Sequence, residues 1–220
     1  MKTAAVIFDM DGLLFDTERL YIEQSKISEK EFGLMIPEEI HWQAIGKTLE
    51  DARKVYAERY GRDFPVEEFM QITKDLVYRY IEEHGLPVKP GAFDLLKELK
   101  DRGFSVILAS SSPRWMIEKN LRLAGMADFF DFTVSGEDVE RGKPAPDIFL
   151  HAAALAGADP AECVVLEDSN NGIRAAYTAG MRPVMVPDIK PPEPDVTEMV
   201  YKVYRDLEEV WEDINFLVCR

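Results

Sequence analysis

A single stretch decides the fold of this chain: Ala4-Ala5-Val6-Ile7-Phe8-Asp9-Met10-Asp11-Gly12. Its apolar part predicts a buried β-strand, which would deliver Asp9 and Asp11 to the carboxyl end of that strand. Two neighbouring anions raise each other's proton affinity, and proteins usually resolve this with a bound cation, a shared proton or both. A plain turn at Asp11-Gly12 is the simpler interpretation of this stretch alone. The rest of the chain favours a functional site.

Short segments rich in β-branched residues recur along the chain. The predicted strands are 4–8, 104–109, 132–135, 163–166 and 184–187. From the second strand onward, helical patterns that end at glycines separate each strand from the next. This alternation is typical of a parallel sheet covered by helices. The sequence therefore predicts an α/β fold with a Rossmann-like parallel-sheet core.

Almost a hundred residues separate the first two predicted strands, far more than one crossover helix requires. Because 17–88 carries helical periodicity, we expect an inserted α-helical cap domain there, with the core formed by 1–16 and 89–220. The two connections between these parts would form a hinge. The proline-rich segment 187–194 is interpreted as a solvent loop that leads to a last edge strand near 199–203.

Composition narrows the possible partners. Lys and Arg total 26 against 41 Asp and Glu, a net charge of −15, which argues against a nucleic acid polymer or an anionic membrane as partner. Any anion site must then be local, built from backbone amides, a metal ion or a few placed lysines. The two cysteines are too few for a disulfide framework. Asp9 interrupts the N-terminal apolar stretch before it is long enough to serve as the core of a signal peptide. We expect a cytoplasmic protein without a membrane span.

Polar side chains follow several of the predicted strands, at the edge where open α/β sheets bind ligands. They are Asp9 and Asp11, Ser110, Glu167 and Asp168, joined by Lys143 just ahead of a helix. Carboxylates can serve as nucleophile, acid and ligands of a hard cation, while a hydroxyl and a lysine can hold an anion. Taken singly, each residue has a structural interpretation, such as a helix cap for Glu167-Asp168 or a solvated side chain for Lys143. Together they predict phosphoryl transfer.

Four segments, in this order, resemble the motifs of the haloacid dehalogenase superfamily. They are Asp9-Met10-Asp11-Gly12, Ser110 at the end of Val106-Ile107-Leu108-Ala109, Gly142-Lys143-Pro144, and Glu167-Asp168-Ser169-Asn170-Asn171-Gly172. The resemblance spans 4–187. The run from Phe8 to Glu18 is similar to the branch that contains β-phosphoglucomutase and small sugar-phosphate or nucleotide phosphatases.

This resemblance implies a role for each motif residue. Asp9 would attack phosphorus in line and form an aspartyl-phosphate, while Asp11 would protonate the leaving alcohol and then take a proton from the attacking water. Ser110 and Lys143 would hold the phosphoryl oxygens, aided by backbone amides around Asp11 and Ser111. Ser111 is itself a candidate substrate contact.

The resemblance also implies Mg²⁺ as the cofactor. Its ligands would be Asp9, the backbone carbonyl of Asp11, Asp168, and Glu167 directly or through water. The implied partner is a small phosphomonoester, of the sugar phosphate or nucleoside monophosphate type. We expect a monomer, and a dimer is left open.

The cap is expected to decide between hydrolysis and phosphosugar transfer. β-Phosphoglucomutases carry a histidine at the place aligned with Tyr21 and an arginine near Leu49, and this chain has neither. Hydrolysis is therefore the favoured reaction, and a β-phosphoglucomutase-type mutase is the alternative, in which Arg19, Lys47 or Lys74 would bind a second phosphate. These three residues and Tyr21 are candidate substrate contacts.

Two further inferences concern substrate and class. The run from Asp16 to Tyr21 resembles phosphatases that act on pseudouridine 5′-phosphate and on deoxysugar phosphates. A catalytically silent binding protein on the same scaffold is a third hypothesis. It is disfavoured by the clustered charges of Asp9, Asp11, Lys143 and Asp168.

Overall fold

A parallel six-stranded sheet forms the centre of the larger of two compact units. The computed structural model describes residues 3–44 and 49–217. The strands are β1 (Ala5–Phe8), β2 (Ser105–Ser110), β3 (Phe132–Ser135), β4 (Cys163–Glu167), β5 (Arg182–Met185) and β6 (Lys202–Val203). Their spatial order is β3-β2-β1-β4-β5-β6, and every neighbouring pair is parallel. The predicted Rossmann-like α/β core is confirmed.

The central strand β1 positions the site. Ile7 pairs with Ile107 of β2 on one side and with Val165 of β4 on the other. All four residues of β1 are fully buried, as expected for a parallel strand covered on both faces. Because β2 and β4 lie on opposite sides of β1, the chain direction across the sheet reverses there. The carboxyl end of β1 is therefore the switch point at which such sheets bind ligands.

Helices of the same unit cover the sheet. They are α5 (Ala92–Asp101), α6 (Arg114–Ala124), α7 (Asp147–Ala156), α8 (Asn170–Thr178), α9 (Pro194–Met199), α10 (Leu207–Glu212) and α11 (Ile214–Leu217). Phe149 and Ala152 of α7 and Ala175 and Ala176 of α8 belong to the cluster of buried residues that includes Ile7. Small residues on α8 let the helix lie close to the strands.

The chain after β4 differs from the prediction in two places. β5 begins at Arg182 rather than at residue 184 and includes Pro183, whose carbonyl accepts a hydrogen bond from the Tyr201 amide at 2.7 Å. The predicted edge strand near 199–203 is reduced to β6, because α9 occupies 194–199. Val196 of α9 is buried against Ile173 and Met185, so burial stabilises a helix between the predicted loop, 187–194, and the predicted edge strand.

The smaller unit comprises 17–86 and is helical. Its helices are α1 (Thr17–Glu31), α2 (Glu38–Ala44), α3 (Leu49–Tyr60) and α4 (Val66–His84). It has apolar clusters of its own: Tyr56 and Phe69 lie in one, and Leu20, Val77 and Ile81 form another. A unit with its own core behaves as a domain.

The two chain crossings between the units pair with each other inside the larger unit, which comprises 1–16 and 87–220. The Asp16 amide donates to the Pro87 carbonyl at 2.9 Å, and the Lys89 amide donates to the Leu14 carbonyl at 2.8 Å. This pairing places residues 87 and 88 with the core, two residues before the expected boundary. Across the described ranges, none of the helices is long and apolar enough to cross a membrane.

Candidate active site

Asp9 is a buried carboxylate at the end of β1, with 7% of its surface exposed. Its amide donates to the Leu166 carbonyl at 3.0 Å, which extends the β1–β4 ladder by one residue and fixes the backbone of Asp9. The chain then turns sharply at Gly12, which has a φ of +87°. A Cβ at Gly12 would lie 2.4 Å from Oδ2 of Asp168, so only glycine lets this turn pass Asp168.

Lys143 lies between two carboxylates. Its Nζ donates to Oδ1 of Asp9, to Oε1 of Glu167 at 2.8 Å and to the carbonyl of Ala109 at 3.2 Å. The Nζ atom also lies 4.8 Å from the ring centroid of Phe149, which places the ammonium over an aromatic face. Only 7% of the lysine side chain is exposed. Lys143 is therefore a buried cation that partly neutralises the edge of the sheet, rather than a solvated lysine.

Burial and neighbouring charges shift the pKa values of both partners of this ion pair. Burial raises the pKa of Asp9 to about 7, with the charge of Lys143 opposing and that of Glu167 adding to the shift. Burial alone would lower the pKa of Lys143, but the charges of Asp9 and Glu167 outweigh it and hold that pKa above its usual value. Lys143 is thus charged at neutral pH. Asp9 is readily protonated there unless further positive charge, such as a bound cation, lies beside it.

Three carboxylates converge at this edge. Oxygen atoms of Asp9, Glu167 and Asp168 all lie within 4.8 Å of one another, and the three residues are buried. Lys143 supplies one positive charge against three acidic groups, an imbalance that favours a bound cation. Oxygen donors of this kind suit a hard divalent ion such as Mg²⁺.

Glu167 is held by the helix that follows it. One of its oxygens accepts from Lys143, and the other accepts from the Ser169 amide at 2.6 Å. Ser169 caps α8, its hydroxyl accepting from the Gly172 amide at 3.1 Å. A Cβ at Gly172 would lie 1.7 Å from Oε1 of Glu167, so the absent side chain provides the space that this carboxylate occupies. The positive end of α8 further favours the anion.

The end of β2 and the loop after it supply hydroxyl groups beside the carboxylates. Ser110 is 1% exposed, and its Oγ accepts from the Ser112 amide at 3.0 Å. The Ser112 hydroxyl in turn donates to Oδ2 of Asp11 at 2.7 Å. Ser111 is exposed. Sequence reasoning did not single out Ser112, although three consecutive serines after a strand adjacent to β1 could have indicated it.

Within the larger unit, the structure brings together the core residues that the sequence nominated. The cap candidates belong to the smaller unit and are described by themselves. In the smaller unit, Arg19 is exposed, Tyr21 packs on the cluster formed by Leu20, Val77 and Ile81, and Lys74 lies 5.7 Å from the Tyr78 ring centroid. Burial raises the pKa of Tyr21 to about 12, so its phenol is neutral. Lys47 lies outside the described residues.

Comparisons with known proteins agree with this geometry. The family model of haloacid dehalogenase-like hydrolases matches residues 3–180. A Drosophila melanogaster protein named "Probable pseudouridine-5′-phosphatase" is 38% identical over 196 residues, 85% of this chain and 83% of that protein. Hexitol phosphatase B of Escherichia coli K12 is 34% identical, over 83% of each chain.

A solved structure shows the same fold. The crystal structure of a haloacid dehalogenase family hydrolase from Deinococcus radiodurans, with bound phosphate and sodium, superposes with a TM-score of 0.81. It is 26% identical and covers 98% of this chain and 97% of its own. A crystal structure of a "putative beta-phosphoglucomutase" from Thermotoga maritima is 28% identical, covers 99% of this chain and 100% of its own, and superposes with a TM-score of 0.81. From the matched family model, the relatives and these structures, it follows that this chain belongs to the haloacid dehalogenase-like hydrolases, in the β-phosphoglucomutase-like branch.

Proposed function

We propose that this enzyme hydrolyses small phosphomonoesters, of the sugar phosphate or nucleoside monophosphate type, through an aspartyl-phosphate on Asp9. The observation that carries the proposal is the buried ion pair of Asp9 and Lys143 at the switch point of the sheet. A carboxylate in that position is fixed by the backbone, shielded from water and charge-compensated. These properties suit a nucleophile that must be covalently modified and regenerated.

The reaction would proceed in two displacements. In the first, an oxygen of Asp9 bonds to phosphorus while the bond from phosphorus to the leaving oxygen breaks, and Asp11 gives that oxygen a proton. In the second, water bonds to phosphorus and loses a proton to Asp11, while the bond between phosphorus and Asp9 breaks. Inorganic phosphate leaves, and both aspartates return to their starting states.

Charge balance explains the surrounding residues. Lys143 would contact the phosphoryl group from beside Asp9, and Ser110 would contact it from the end of β2, where negative charge must be stabilised. Asp9, Asp168, the Asp11 carbonyl and Glu167, directly or through water, would hold Mg²⁺. That ion, when bound, supplies the positive charge that offsets the buried carboxylates and polarises the phosphoryl group.

We assign substrate choice to the helical unit, 17–86. The relatives carry names for pseudouridine 5′-phosphate and hexitol phosphate hydrolysis, and both substrates are small and rich in hydroxyl groups. Arg19, Tyr21, Lys47 and Lys74 remain candidate substrate contacts. The neutral, packed phenol of Tyr21 stands where the mutases carry a histidine, which favours hydrolysis over transfer to a second sugar position.

Phosphate release tests this function directly. The full-length protein with Mg²⁺ is incubated with p-nitrophenyl phosphate and a panel of sugar phosphates and nucleoside monophosphates. We expect release of inorganic phosphate, its loss in Asp9→Asn, and its retention in Glu118→Gln, a matched change on the exposed part of α6. No release from any compound would refute the proposal. Faster conversion of β-glucose 1-phosphate to glucose 6-phosphate than hydrolysis would identify a mutase instead.

A further inference from the structure

Ser112 makes one side-chain contact with the acid–base machinery of the proposed reaction. Its hydroxyl donates to Oδ2 of Asp11 at 2.7 Å, across 101 positions of sequence. A hydroxyl that donates to a carboxyl oxygen forms a directional hydrogen bond, and that oxygen can accept it while the other oxygen carries a proton. This bond therefore restricts how the Asp11 carboxyl group can rotate.

The backbone of Ser112 is fixed independently of that hydroxyl. Its amide donates to Oγ of Ser110 at 3.0 Å, and its carbonyl accepts from Oγ of Ser135 at 2.8 Å. Ser110 and Ser135 are themselves buried at the ends of β2 and β3, which pair with each other. The hydroxyl of Ser112 is thus presented from a rigid part of the sheet edge. Removing it should delete the contact with Asp11 and leave the loop in place.

We propose that Ser112 is a positioning residue for Asp11, one that aligns the Asp11 carboxyl group with the oxygen of the leaving alcohol. The inference rests on the proposed function, because Asp11 is the general acid and base of that reaction. Proton transfer needs the acid within hydrogen-bond reach of the leaving oxygen, so a freely rotating carboxyl group spends less time in the productive geometry.

Leaving-group basicity provides a readout that general structural damage would not imitate. Phenyl phosphate and p-nitrophenyl phosphate have nearly the same shape, but p-nitrophenol is the stronger acid. A p-nitrophenolate ion can leave without a proton, whereas phenolate benefits from one. The value of kcat/KM reports the steps through departure of the leaving group, so it isolates the first use of Asp11.

The test compares Ser112→Ala with the wild type on both aryl phosphates. We expect kcat/KM for phenyl phosphate to fall by about 10- to 100-fold, part of the usual contribution of general acid catalysis, with a decrease of less than about threefold for p-nitrophenyl phosphate. Ser112→Thr keeps a hydroxyl and should restore most of the phenyl phosphate activity. Unchanged thermal unfolding of both variants would show that the loop is intact.

Each other outcome refutes a specific statement. An equal loss on both substrates, or a rise in KM alone on both, would mean that Ser112 contacts the phosphoryl group or supports the fold, and the positioning role would be wrong. No loss on either substrate would also refute it. If the wild type itself hydrolyses neither aryl phosphate nor any compound of the panel, the proposed function fails, and this inference fails with it.

Discussion

Replacing Lys143 by methionine would leave Asp9 and Glu167 as neighbouring buried anions without their shared cation. The two carboxylate side chains are 10% and 1% exposed, so water cannot substitute for the ammonium. Removing one partner of a buried ion pair costs about 3–5 kcal/mol of unfolding free energy. Methionine fills a similar volume, so lost packing adds little. We expect a loss in that range at a pH of about 8, measured in chelator-treated protein.

The loss should depend on pH, and its sign follows from the Asp9 pKa. Asp9 in the folded wild type has a pKa of about 7, above its unfolded value, so this group favours the folded state less as the pH rises toward 7. Lys143 opposes that shift, and removing it raises the pKa of Asp9 further. In the folded variant, Asp9 therefore stays protonated to a higher pH than in the wild type, and ionising it reduces the stability of the folded state more. The difference in stability should shrink toward a pH of about 5, where Asp9 is protonated in both proteins.

Urea unfolding followed by tryptophan fluorescence measures both effects. Lys97→Met is the matched control, because Lys97 pairs with Asp101 on the surface and both side chains are more than half exposed. We expect a much smaller loss in that variant. A loss below about 1 kcal/mol in Lys143→Met at a pH of about 8 would contradict the buried-cation assignment. A loss that does not change with pH would contradict the role of Asp9 in it.

Two predictions concern the metal site. In Gly172→Ala, the new Cβ would meet Oε1 of Glu167 at 1.7 Å and displace that carboxylate from Lys143. We expect kcat to fall at least about tenfold, while circular dichroism shows that the fold is retained. Turnover equal to that of the wild type would contradict the statement that Glu167 needs the space left by Gly172. Because Asp9 has a pKa of about 7, Mg²⁺ must displace a proton, so its affinity should rise between a pH of about 6 and about 8. Calorimetry in buffers of different ionisation enthalpy should detect proton release in the wild type but not in Asp9→Asn; pH-independent affinity in the wild type would refute the coupling.

The core was predictable because its signals are local. The run before Asp9 predicts β1 within one residue of its observed start, and the glycine after α7 ends that helix as expected. Local sequence signals failed to predict the secondary structure where tertiary packing outweighs local conformational preference. The sequence predicted a loop at 187–194 and an edge strand near 199–203 with no helix between them, yet burial of Val196 against Ile173 stabilises α9.

The candidate site was predictable in membership but not in geometry. Polar residues stand at the carboxyl ends of otherwise apolar strand segments, and this contrast made them candidates. They are Asp9, Asp11, Ser110 and the Glu167-Asp168 pair. The run of three serines at the end of β2 could have drawn attention to Ser112, but a serine in a loop is ordinary and the run does not indicate its role. Its hydrogen bond to Asp11, from a segment about a hundred residues away, is what indicates that role.

The sequence by itself determined the alternation of strands and helices, the existence of a long insertion after β1 and the types of reactive group at the sheet edge. These features depend on hydrophobic periodicity and residue chemistry, which can be read from residues that are close together in the sequence. Only the tertiary structure decided that Lys143 is a buried cation between Asp9 and Glu167, and that Gly12 and Gly172 leave space for Asp168 and Glu167. The physical reason is that burial and charge compensation arise between segments far apart in sequence, once the parallel strands bring their carboxyl ends together.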